Sequence, residues 1–414
     1  MARSTVFRFK GADPQKTGRD LNVRAVLTGR VLQRGDTLSI RTELVDAADG
    51  SQLWGGQYNR KLAEIFSVQE EIATEISGKL RLRLTGEEQK RLTKRYTENK
   101  EAYQLYLKGH YYWDKLTKDG LQKAIESYRQ AIEKDPGYAL AYAGLAECYA
   151  EMSGNYLSPR EGFPKAKEAA YRAVELDDTL AEAHVQLGNA RALYDWDWTG
   201  GEKEFRRALE LNAGNAAWVH DWYGYYLGCV GRPEEGIPEI KRALELDPLS
   251  ATINGDLGFV LYLAHRYDDS IEQSRKAIEI DPTYFNAHGN LGTAYEMKGQ
   301  LSEAIAAFQK AAQLEDNPWI TAGLGHAYAR SGRRAEAMNM LDRMKKQERE
   351  KYISPYFIAY IHLGMGEKDQ ALASLERAYE DRSIGLFWIK VDPVFDPLRP
   401  DPRFQNLLKR IGLQ

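Results

Sequence analysis

The sequence has little cysteine, no long apolar run and no excess of charge of either sign. Only two cysteines, Cys148 and Cys229, occur in 414 residues, which excludes a disulfide scaffold and argues against a cysteine-based metal site. No apolar stretch reaches the roughly 18 residues that a transmembrane helix needs. The 57 Lys and Arg residues nearly balance the 60 Asp and Glu residues. The composition therefore predicts neither direct nucleic-acid binding nor direct membrane insertion.

Motifs for catalysis are also missing. The sequence has no Gly-x-x-x-x-Gly-Lys-Ser/Thr phosphate loop and no His-Glu-x-x-His zinc motif. Residues 265–268 superficially resemble a kinase catalytic loop, but a residue is inserted and the Asp-Phe-Gly partner is lacking. We therefore predict a chain that is not an enzyme, with no catalytic residues, no cofactor and no metal.

A six-residue phrase recurs along the chain, with Ala first, an aliphatic residue second and Glu third. It appears at 131–136, 173–178, 208–213, 243–248 and 277–282, at intervals of 42, 35, 35 and 34 residues. After each phrase, a large apolar residue precedes Gly or Ala, and another apolar residue follows three positions on. This spacing places the three residues on one face of a helix, and a small residue later in the unit lets a second helix approach closely.

The repeating pattern resembles the tetratricopeptide repeat. Eight units are predicted, at roughly 102–136, 139–178, 181–213, 216–248, 251–282, 285–316, 318–351 and 352–380. One unit cannot bury its apolar face alone, so stacked neighbours must supply the core. The resemblance implies a mainly α fold, a right-handed α-solenoid with a concave groove. Gly201 and Gly236 stand where the repeat usually has Ala.

The first hundred residues have a different pattern. Residues 21–60 alternate apolar and polar positions, which predicts three strands of an antiparallel meander. A further strand is expected at Ser4–Phe9 and a short helix at Asp13–Leu21. Capping boxes at Ser67 and Thr85 predict helices at about 68–83 and 86–97. The first of these is expected to pack on the sheet through Val68, Ile72, Ile76 and Leu80.

This α/β region resembles the TolB amino-terminal-like domain. The resemblance rests on residues 4–11, 26–31, 43–47, 49–54 and 65–73, with later support from 194–198 and 401–404. That domain precedes tetratricopeptide repeats in some bacterial adenylate cyclases, membrane-associated serine/threonine kinases and transcription regulators. The resemblance implies a truncated α/β domain at 1–97, a repeat solenoid at 98–380 and a carboxy-terminal cap at 381–414.

One departure from that family concerns the start of the domain. A strand, a loop and a helix usually precede the Ser-Thr-Val-Phe strand, but here Met1 stands almost immediately before it. The polypeptide is therefore expected either to be a fragment of a longer regulator or to start late. A sheet that lacks a neighbouring strand has an unpaired edge. We predict self-association, or binding of a partner, at that edge.

The concave groove is the remaining candidate site. Asn and Thr side chains can bond an extended backbone, and aromatic rings can grip side chains. The groove is expected to bind a protein or peptide through Tyr106, Trp113, Asn189, His220, Thr252, Phe259, Tyr262, Asn286, Thr293, Trp319 and His326. The Lys-rich set with which some chaperone-binding repeats clamp a carboxylate is missing, which disfavours that ligand class.

Two segments outside the groove are interpreted as structural. Trp196 and Trp198 lie at the turn of the third unit and are expected to plug a neighbouring unit. The carboxy-terminal tail from Ser383 ends in a predicted helix, Pro402–Ile411, that caps the last repeat.

The sequence favours a non-catalytic protein- or peptide-binding scaffold, the sensory or assembly part of a bacterial signalling regulator. Two alternatives stay open. In the first, the chain is the carboxy-terminal regulatory region of a larger serine/threonine kinase or adenylate cyclase. In the second, it is the corresponding region of a winged-helix transcription regulator. Taken literally, the sequence predicts a soluble cytoplasmic chain, and a membrane-anchored parent would place it in the periplasm.

Overall fold

The computed structural model describes residues 13–21, 23–35, 37–61, 96–113, 117–154, 156–211 and 216–413, and single positions between 64 and 78. The chain divides into two compact units, Met1–Lys100 and Glu101–Gln414. The predicted strand at Ser4–Phe9, residue Leu80 and most of the predicted helix at 86–97 lie outside the described residues.

The first unit contains a short helix and a three-stranded sheet. Helix α1 (Pro14–Asp20) begins after Asp13, whose carboxylate accepts the Lys16 backbone N–H at 3.1 Å. Strands β1 (Ala25–Arg34), β2 (Thr37–Asp46) and β3 (Gln52–Lys61) pair antiparallel in the order β1-β2-β3. The predicted meander is confirmed.

One face of this sheet is covered by residues from the segment predicted as the next helix. The sheet side chains Leu38, Ile40, Leu44, Trp54 and Tyr58 are buried together with Val68, and Ile72 and Ile76 pack against them. The carboxylate of Glu75 accepts hydrogen bonds from the Trp54 indole at 2.9 Å and the Tyr58 hydroxyl at 3.3 Å. Packing on the sheet is therefore observed for Val68, Ile72 and Ile76.

The second unit is a series of helix pairs. In the described part of residues 100–380, eight pairs follow one another, as predicted, and each pair consists of a first and a second helix. The first helices are α2 (Lys100–Trp113), α4 (Ala139–Met152), α6 (Ala181–Ala190), α8 (Ala217–Cys229), α10 (Ala251–Leu263), α12 (Phe285–Met297), α14 (Pro318–Arg330) and α16 (Pro355–Gly364). The second helices are α3 (Lys118–Lys134), α5 (Pro159–Leu176), α7 (Trp198–Leu211), α9 (Pro233–Leu246), α11 (Tyr267–Ile280), α13 (Leu301–Leu314), α15 (Arg334–Gln347) and α17 (Lys368–Glu380).

Glycine in the first helices makes room for aromatic rings from the second helices. A Cβ atom on Gly292 would lie 2.9 Å from the Phe308 ring, and one on Gly323, in the next pair, would lie 2.5 Å from the same ring. Phe308 is fully buried as a result. The repeated small residue in the sequence therefore marks the place where an aromatic side chain sits between two pairs.

Gly236 explains why the fourth pair departs from the usual Ala. A Cβ atom on Gly236 would lie 2.4 Å from the backbone oxygen of Gly224, so α8 and α9 touch backbone to backbone. We expect Gly236→Ala to lower the free energy of unfolding by about 1–3 kcal/mol through overpacking. This outcome is opposite to the helix preference of Ala, about 1 kcal/mol. Chemical denaturation measures the effect, with Glu234→Ala on the same helix as the near-neutral control; a stabilised Gly236→Ala variant would contradict the close packing.

The tail after the eighth pair is folded throughout residues 383–413. It forms two 3₁₀ turns, Ile384–Phe387 and Pro393–Leu398, and then helix α18 (Pro402–Arg410). Helix α18 packs on α17, where the Arg410 guanidinium lies 4.2 Å from the Tyr379 ring centre and 2.6 Å from the Glu376 carboxylate. The last predicted helix is therefore present and covers the last repeat.

The third pair contacts the far end of the array. A π-helical turn, Arg191–Asp195, extends α6, and the Trp196 ring then stacks on Tyr379 of α17 at 5.1 Å between ring centres. The Trp198 indole donates a hydrogen bond to the backbone oxygen of Ile411 at 2.7 Å. Trp198 packs on the cluster shared with the neighbouring fourth pair, as predicted. The prediction missed that both tryptophans also join the third pair to the eighth pair and the tail.

Candidate functional site: the inner surface of the repeat array

The first helices form a continuous surface because those of successive pairs contact one another along most of the array. We call the side of these helices that meets residues 384–398 the inner surface, and residues 384–398 the tail segment. The surface follows from the repeat pattern: each first helix packs one side on its own second helix and presents another side away from it. A site on the inner surface that spans several repeats is therefore built from the first helices.

The tail segment lies on the middle and the far end of the inner surface. Phe387 contacts the rings of Trp198, Tyr225 and Tyr226, at 5.9, 6.3 and 6.1 Å between ring centres. Trp388 meets Phe259 edge to face at 5.7 Å. Farther along the tail segment, Phe395 packs on the Tyr356 and Tyr360 rings of α16 and is fully buried. The protein thus fills much of its own groove with its tail.

A carboxylate at the centre of the tail segment joins two distant helices. Asp392 is fully buried, and its oxygens accept hydrogen bonds from the Tyr262 hydroxyl at 2.7 Å, from the Tyr356 hydroxyl at 2.8 Å and from the Tyr360 hydroxyl. Burial raises the pKa of Asp392, although these hydrogen bonds oppose the shift. Burial and the nearby carboxylate raise the pKa of each of the three tyrosines well above its usual range.

The structure places several of the predicted groove residues in the interior. Asn189, Thr293 and His326 are about as buried as core residues, at 5%, 3% and 5% exposure. The His326 ring nitrogen Nδ1 lies 2.6 Å from the buried Glu296 carboxylate, and the Thr293 hydroxyl donates to the Asn290 backbone oxygen. Thr293 and His326 therefore have structural partners, and burial closes all three side chains to a ligand.

The tail or a second helix engages three more of the predicted residues. Tyr262 is 1% exposed and bound to Asp392, and Phe259 is half-buried beneath Trp388. The His220 ring nitrogen Nδ1 lies 2.6 Å from Glu239 of α9. The five others keep part of their surface: Tyr106, Trp113, Thr252, Asn286 and Trp319. The accessible remainder of the predicted site is therefore split between α2 and the starts of α10, α12 and α14.

Two carboxyl groups that the sequence reading did not single out lie beside this accessible remainder. Asp221 of α8 and Asp256 of α10 each influence the pKa of the other. Burial raises the pKa of Asp256 to about 7, and burial with the adjacent Asp256 raises the pKa of Asp221 well above its usual range. We call these two residues the acid pair. Neither residue falls on the helix positions that predicted the groove. An Asp within an otherwise apolar first helix is nevertheless a sequence feature that could have indicated a polar site there.

A polar cluster surrounds the acid pair at the start of α12. The Asn286 side-chain amide donates to the Tyr284 hydroxyl at 3.3 Å, and Thr252 is among the groups that lower the pKa of that hydroxyl. Thr252 is exposed, whereas Asp256, Tyr284 and Asn286 are half-buried. The cluster therefore offers hydroxyl, amide and carboxyl groups at a surface that solvent reaches.

Other chemistry finds little support in the part of the chain that the structure describes. No group of three or more His, Cys, Asp or Glu side chains there could hold a metal ion. Burial raises the pKa of the Cys148 and Cys229 thiols well above their usual range, which leaves them unreactive. None of the described helices has the length and apolar character needed to cross a bilayer.

Comparison with known families agrees with the helix pairs. Residues 113–158, 249–315 and 297–354 each match a tetratricopeptide repeat family profile. The helix pairs within these residues are therefore tetratricopeptide repeats, and the array of pairs is a helical solenoid.

The chain is also similar to parts of longer curated proteins. "Putative adenylate cyclase 3" of Rhizobium meliloti (strain 1021) is 29% identical over 197 residues, which are 46% of this chain and 33% of that protein. "Transcriptional regulator HilA" of Salmonella typhimurium is 30% identical over 152 residues, 36% of this chain and 27% of that protein. The chain thus spans about a third or less of the length of these relatives.

Two solved structures match this chain over part of its length. PilW, a type IV pilus biogenesis factor, is 16% identical, and the match covers 51% of this chain and 94% of PilW with a TM-score of 0.42. The human IFIT1 dimer with m7Gppp-AAAA is 16% identical, with 76% of this chain and 77% of IFIT1 covered and a TM-score of 0.49.

Proposed function

We propose that this protein is a non-catalytic scaffold that binds a protein partner, as the sensory or assembly part of a bacterial signalling regulator. Tetratricopeptide arrays are protein-binding scaffolds, and the repeats here form a continuous inner surface. The observation that carries the proposal is that the tail segment covers only part of this surface. The starts of α10 and α12 stay accessible, with Thr252 exposed and Asn286 half-buried.

The tail segment restricts where the partner binds. Phe259 and Tyr262 are engaged by Trp388 and Asp392, so they belong to the core of the array. A partner docks instead on the accessible part of the inner surface, where Thr252 precedes Phe259 by about two helical turns and Tyr262 by nearly three. Amide and hydroxyl groups there can bond a polypeptide backbone, and Trp319 provides an apolar contact.

Site-specific cross-linking in bacterial cells tests this placement. We expect a benzophenone amino acid at Thr252 to capture a protein partner, because the residue is exposed on the inner surface. The same amino acid at Met338, 49% exposed on a second helix, is the matched control. Adducts are measured on denaturing gels and identified by mass spectrometry. A discrete adduct from Thr252 alone supports the proposal, whereas equal labelling from both positions, or none from Thr252, contradicts it.

The second candidate is a regulatory region of a larger protein. It is supported by the two curated relatives, an adenylate cyclase by name and a transcriptional regulator, because each is about three times as long as its match to this chain or longer. The reading frame upstream of the Met1 codon distinguishes the two kinds of larger protein. Cyclase or kinase motifs there favour an enzyme's regulatory region, and a basic recognition helix favours a winged-helix regulator.

Self-association at the sheet stays a prediction. Among the described residues, β1 is an end strand of the sheet and exposes Leu27, Val31 and Leu32. Exposed apolar side chains on an end strand are typical of a surface that pairs with another chain.

A further inference from the structure

We propose that the free edge of strand β1 binds an extended segment of a partner protein in which apolar and acidic residues alternate. The segment adds a fourth strand to the sheet of the first unit. This surface is separate from the inner surface of the repeat array, so it goes beyond the proposed function and is tested independently of it. Three features of β1 support it: a long regular edge, apolar side chains beyond the cover of the sheet, and arginines without ionic partners.

Strand β1 offers a long and regular edge. Its ten residues, Ala25–Arg34, contain no proline and pair with β2 without a break in register. Among the described residues β2 is its only neighbour, so every second N–H and C=O group of β1 points away from the sheet. The other end strand, β3, is less regular, because its register with β2 shifts between Leu44 and Val45. The edge of β1 is therefore the better template for an added strand.

The apolar face of the sheet loses its cover where it reaches β1. Leu27 lies opposite Leu44, and Val31 lies opposite Ile40, so these four side chains share one face. Leu44 and Ile40 on β2 are 3% and 9% exposed, whereas Leu27 and Val31 on β1 are 37% and 62% exposed. Val68, which helps to cover this face, is clustered with side chains of β2 and β3. An added strand would cover Leu27 and Val31 with apolar residues at every second position.

The opposite face of the same edge is positively charged. Arg30 and Arg34 are exposed there, and neither makes an ion pair with a described residue. Glu43, the one acidic residue on this face of the three strands, already pairs with Arg41 at 2.7 Å. Arg41 also lies directly opposite Arg30, and like charges in that position repel each other. Acidic residues at the remaining positions of an added strand would offset this repulsion.

Of the two occupants predicted for this edge, a second copy and a partner, the charges favour the partner. If two β1 strands paired antiparallel with Leu27 opposite Val31 of a second copy, Arg34 would lie opposite Arg24 of that copy. The predicted strand Ser4–Phe9 contains an arginine and no acidic residue, so its charge does not favour it as the occupant either. A segment that presents apolar side chains to one face and carboxylates to the other matches both faces of the edge.

Fluorescence anisotropy of labelled peptides titrated with the full chain tests the proposal. The probe is acetyl-Thr-Val-Glu-Val-Glu-Val-Glu-Val-Thr-Gly-amide, and the control peptide has Lys in place of each Glu. We expect the acidic peptide to bind about ten-fold or more tightly than the lysine peptide at low salt, with a smaller difference at high salt. A third peptide keeps the Glu residues but carries N-methyl groups on alternate backbone nitrogens. It should bind about ten-fold more weakly than the probe, because it cannot complete the ladder of hydrogen bonds.

Charge reversal at the edge provides the matched comparison in the protein. We expect Arg30→Glu with Arg34→Glu to remove the preference for the acidic peptide. Lys310→Glu with Lys345→Glu changes the net charge equally at exposed positions of α13 and α15, and it should leave the preference intact. All four positions are exposed, so both variants should fold like the wild type, which circular dichroism checks.

Hydrogen exchange locates the bound peptide. The outward-pointing amides within residues 25–34 should exchange about ten-fold or more slowly when the acidic peptide is bound, because they then donate to the added strand. Amides within residues 52–61, on the far strand of the sheet, should exchange as in the free chain. This pattern distinguishes strand addition from simple attraction between the peptide and a basic surface.

Each other outcome overturns the proposal. Equal binding of the acidic and lysine peptides does so, as does full binding of the N-methylated peptide. Binding that leaves exchange in residues 25–34 unchanged would mean that the arginines only keep the edge from aggregating. Slow exchange there in the free chain would show an edge that is already occupied, by a second copy if light scattering finds a dimer and by this chain itself if it does not. Because Thr252 lies in the other unit, its adduct tests the scaffold function separately from all of these results.

Discussion

Replacing Asp392 by alanine is expected to lower the free energy of unfolding by about 4 kcal/mol or more. The carboxylate accepts three tyrosine hydroxyls in a fully buried place. Without it, each of Tyr262, Tyr356 and Tyr360 loses its acceptor, and each buried group left unpaired costs about 1–3 kcal/mol. The loss should appear as a large shift of the denaturation midpoint in urea.

A matched control lies in the same segment. Asp396 is an exposed carboxylate that pairs with Arg399 at 2.6 Å, and Asp396→Ala should stay within about 0.5 kcal/mol of the wild type. Asp392→Asn should fall between the two, since it keeps one carbonyl acceptor. A near-neutral Asp392→Ala variant would mean that the tail segment is not part of the folded core.

Replacing Trp198 by alanine is expected to cost about 3 kcal/mol and to change the form of the unfolding transition. The indole stacks on Phe387 and donates to the Ile411 backbone oxygen, so the substitution removes a large aromatic contact from the core. Open repeat arrays gain stability from nearest neighbours alone. With this long-range contact intact, we expect one cooperative transition. Without it, the remaining contacts at Trp196 and Asp392 should couple the terminal pairs more weakly.

Scanning calorimetry distinguishes these two forms of unfolding. The wild type should give a single transition, and Trp198→Ala a broadened or divided one. Trp198→Phe is the informative control, because it keeps a ring against Phe387 but lacks the indole N–H, which is worth about 1 kcal/mol. A single sharp transition in Trp198→Ala would show that the contact does not couple the pairs.

The local sequence pattern predicts the repeats well because each unit depends on neighbours in sequence. Leu291-Gly292…Tyr295 specifies one helix face, and the partner ring, Phe308, lies in the same unit. The strand alternation likewise predicts the meander, since adjacent strands pair through short turns. Contacts of this kind need no information about distant parts of the chain.

The position of the tail could not be predicted in this way. Its apolar residues, such as Phe387 and Phe395, predict that the segment is buried. They do not indicate which helices it packs against. Phe259 and Tyr262 look like groove residues because their helix positions face away from the second helix, yet the surface they face is taken by Trp388 and Asp392. A repeat pattern specifies which side of a helix faces the inner surface. It does not specify which other segment of the chain packs against that side.

The Gly236 position shows the opposite case, in which a departure from the pattern carries information. The repeat favours Ala at this place, and a consensus reading treats glycine as a weak match. The close contact with the Gly224 backbone makes glycine a requirement of this particular pair. Irregular positions within a repeat therefore report on local geometry that the consensus averages away.

The join between the third pair, the second pair and the chain's far end has a mechanical consequence. Arg160 of α5 donates to the Glu380 backbone oxygen at 2.6 Å, next to the stacked Trp196 and Tyr379 rings. A repeat array with contacts only between neighbouring repeats can change its curvature easily. An array with contacts between distant repeats is held at one curvature. If the array binds a partner as proposed, we expect it to select one that already matches its curvature, with little of the binding energy spent on bending the receptor.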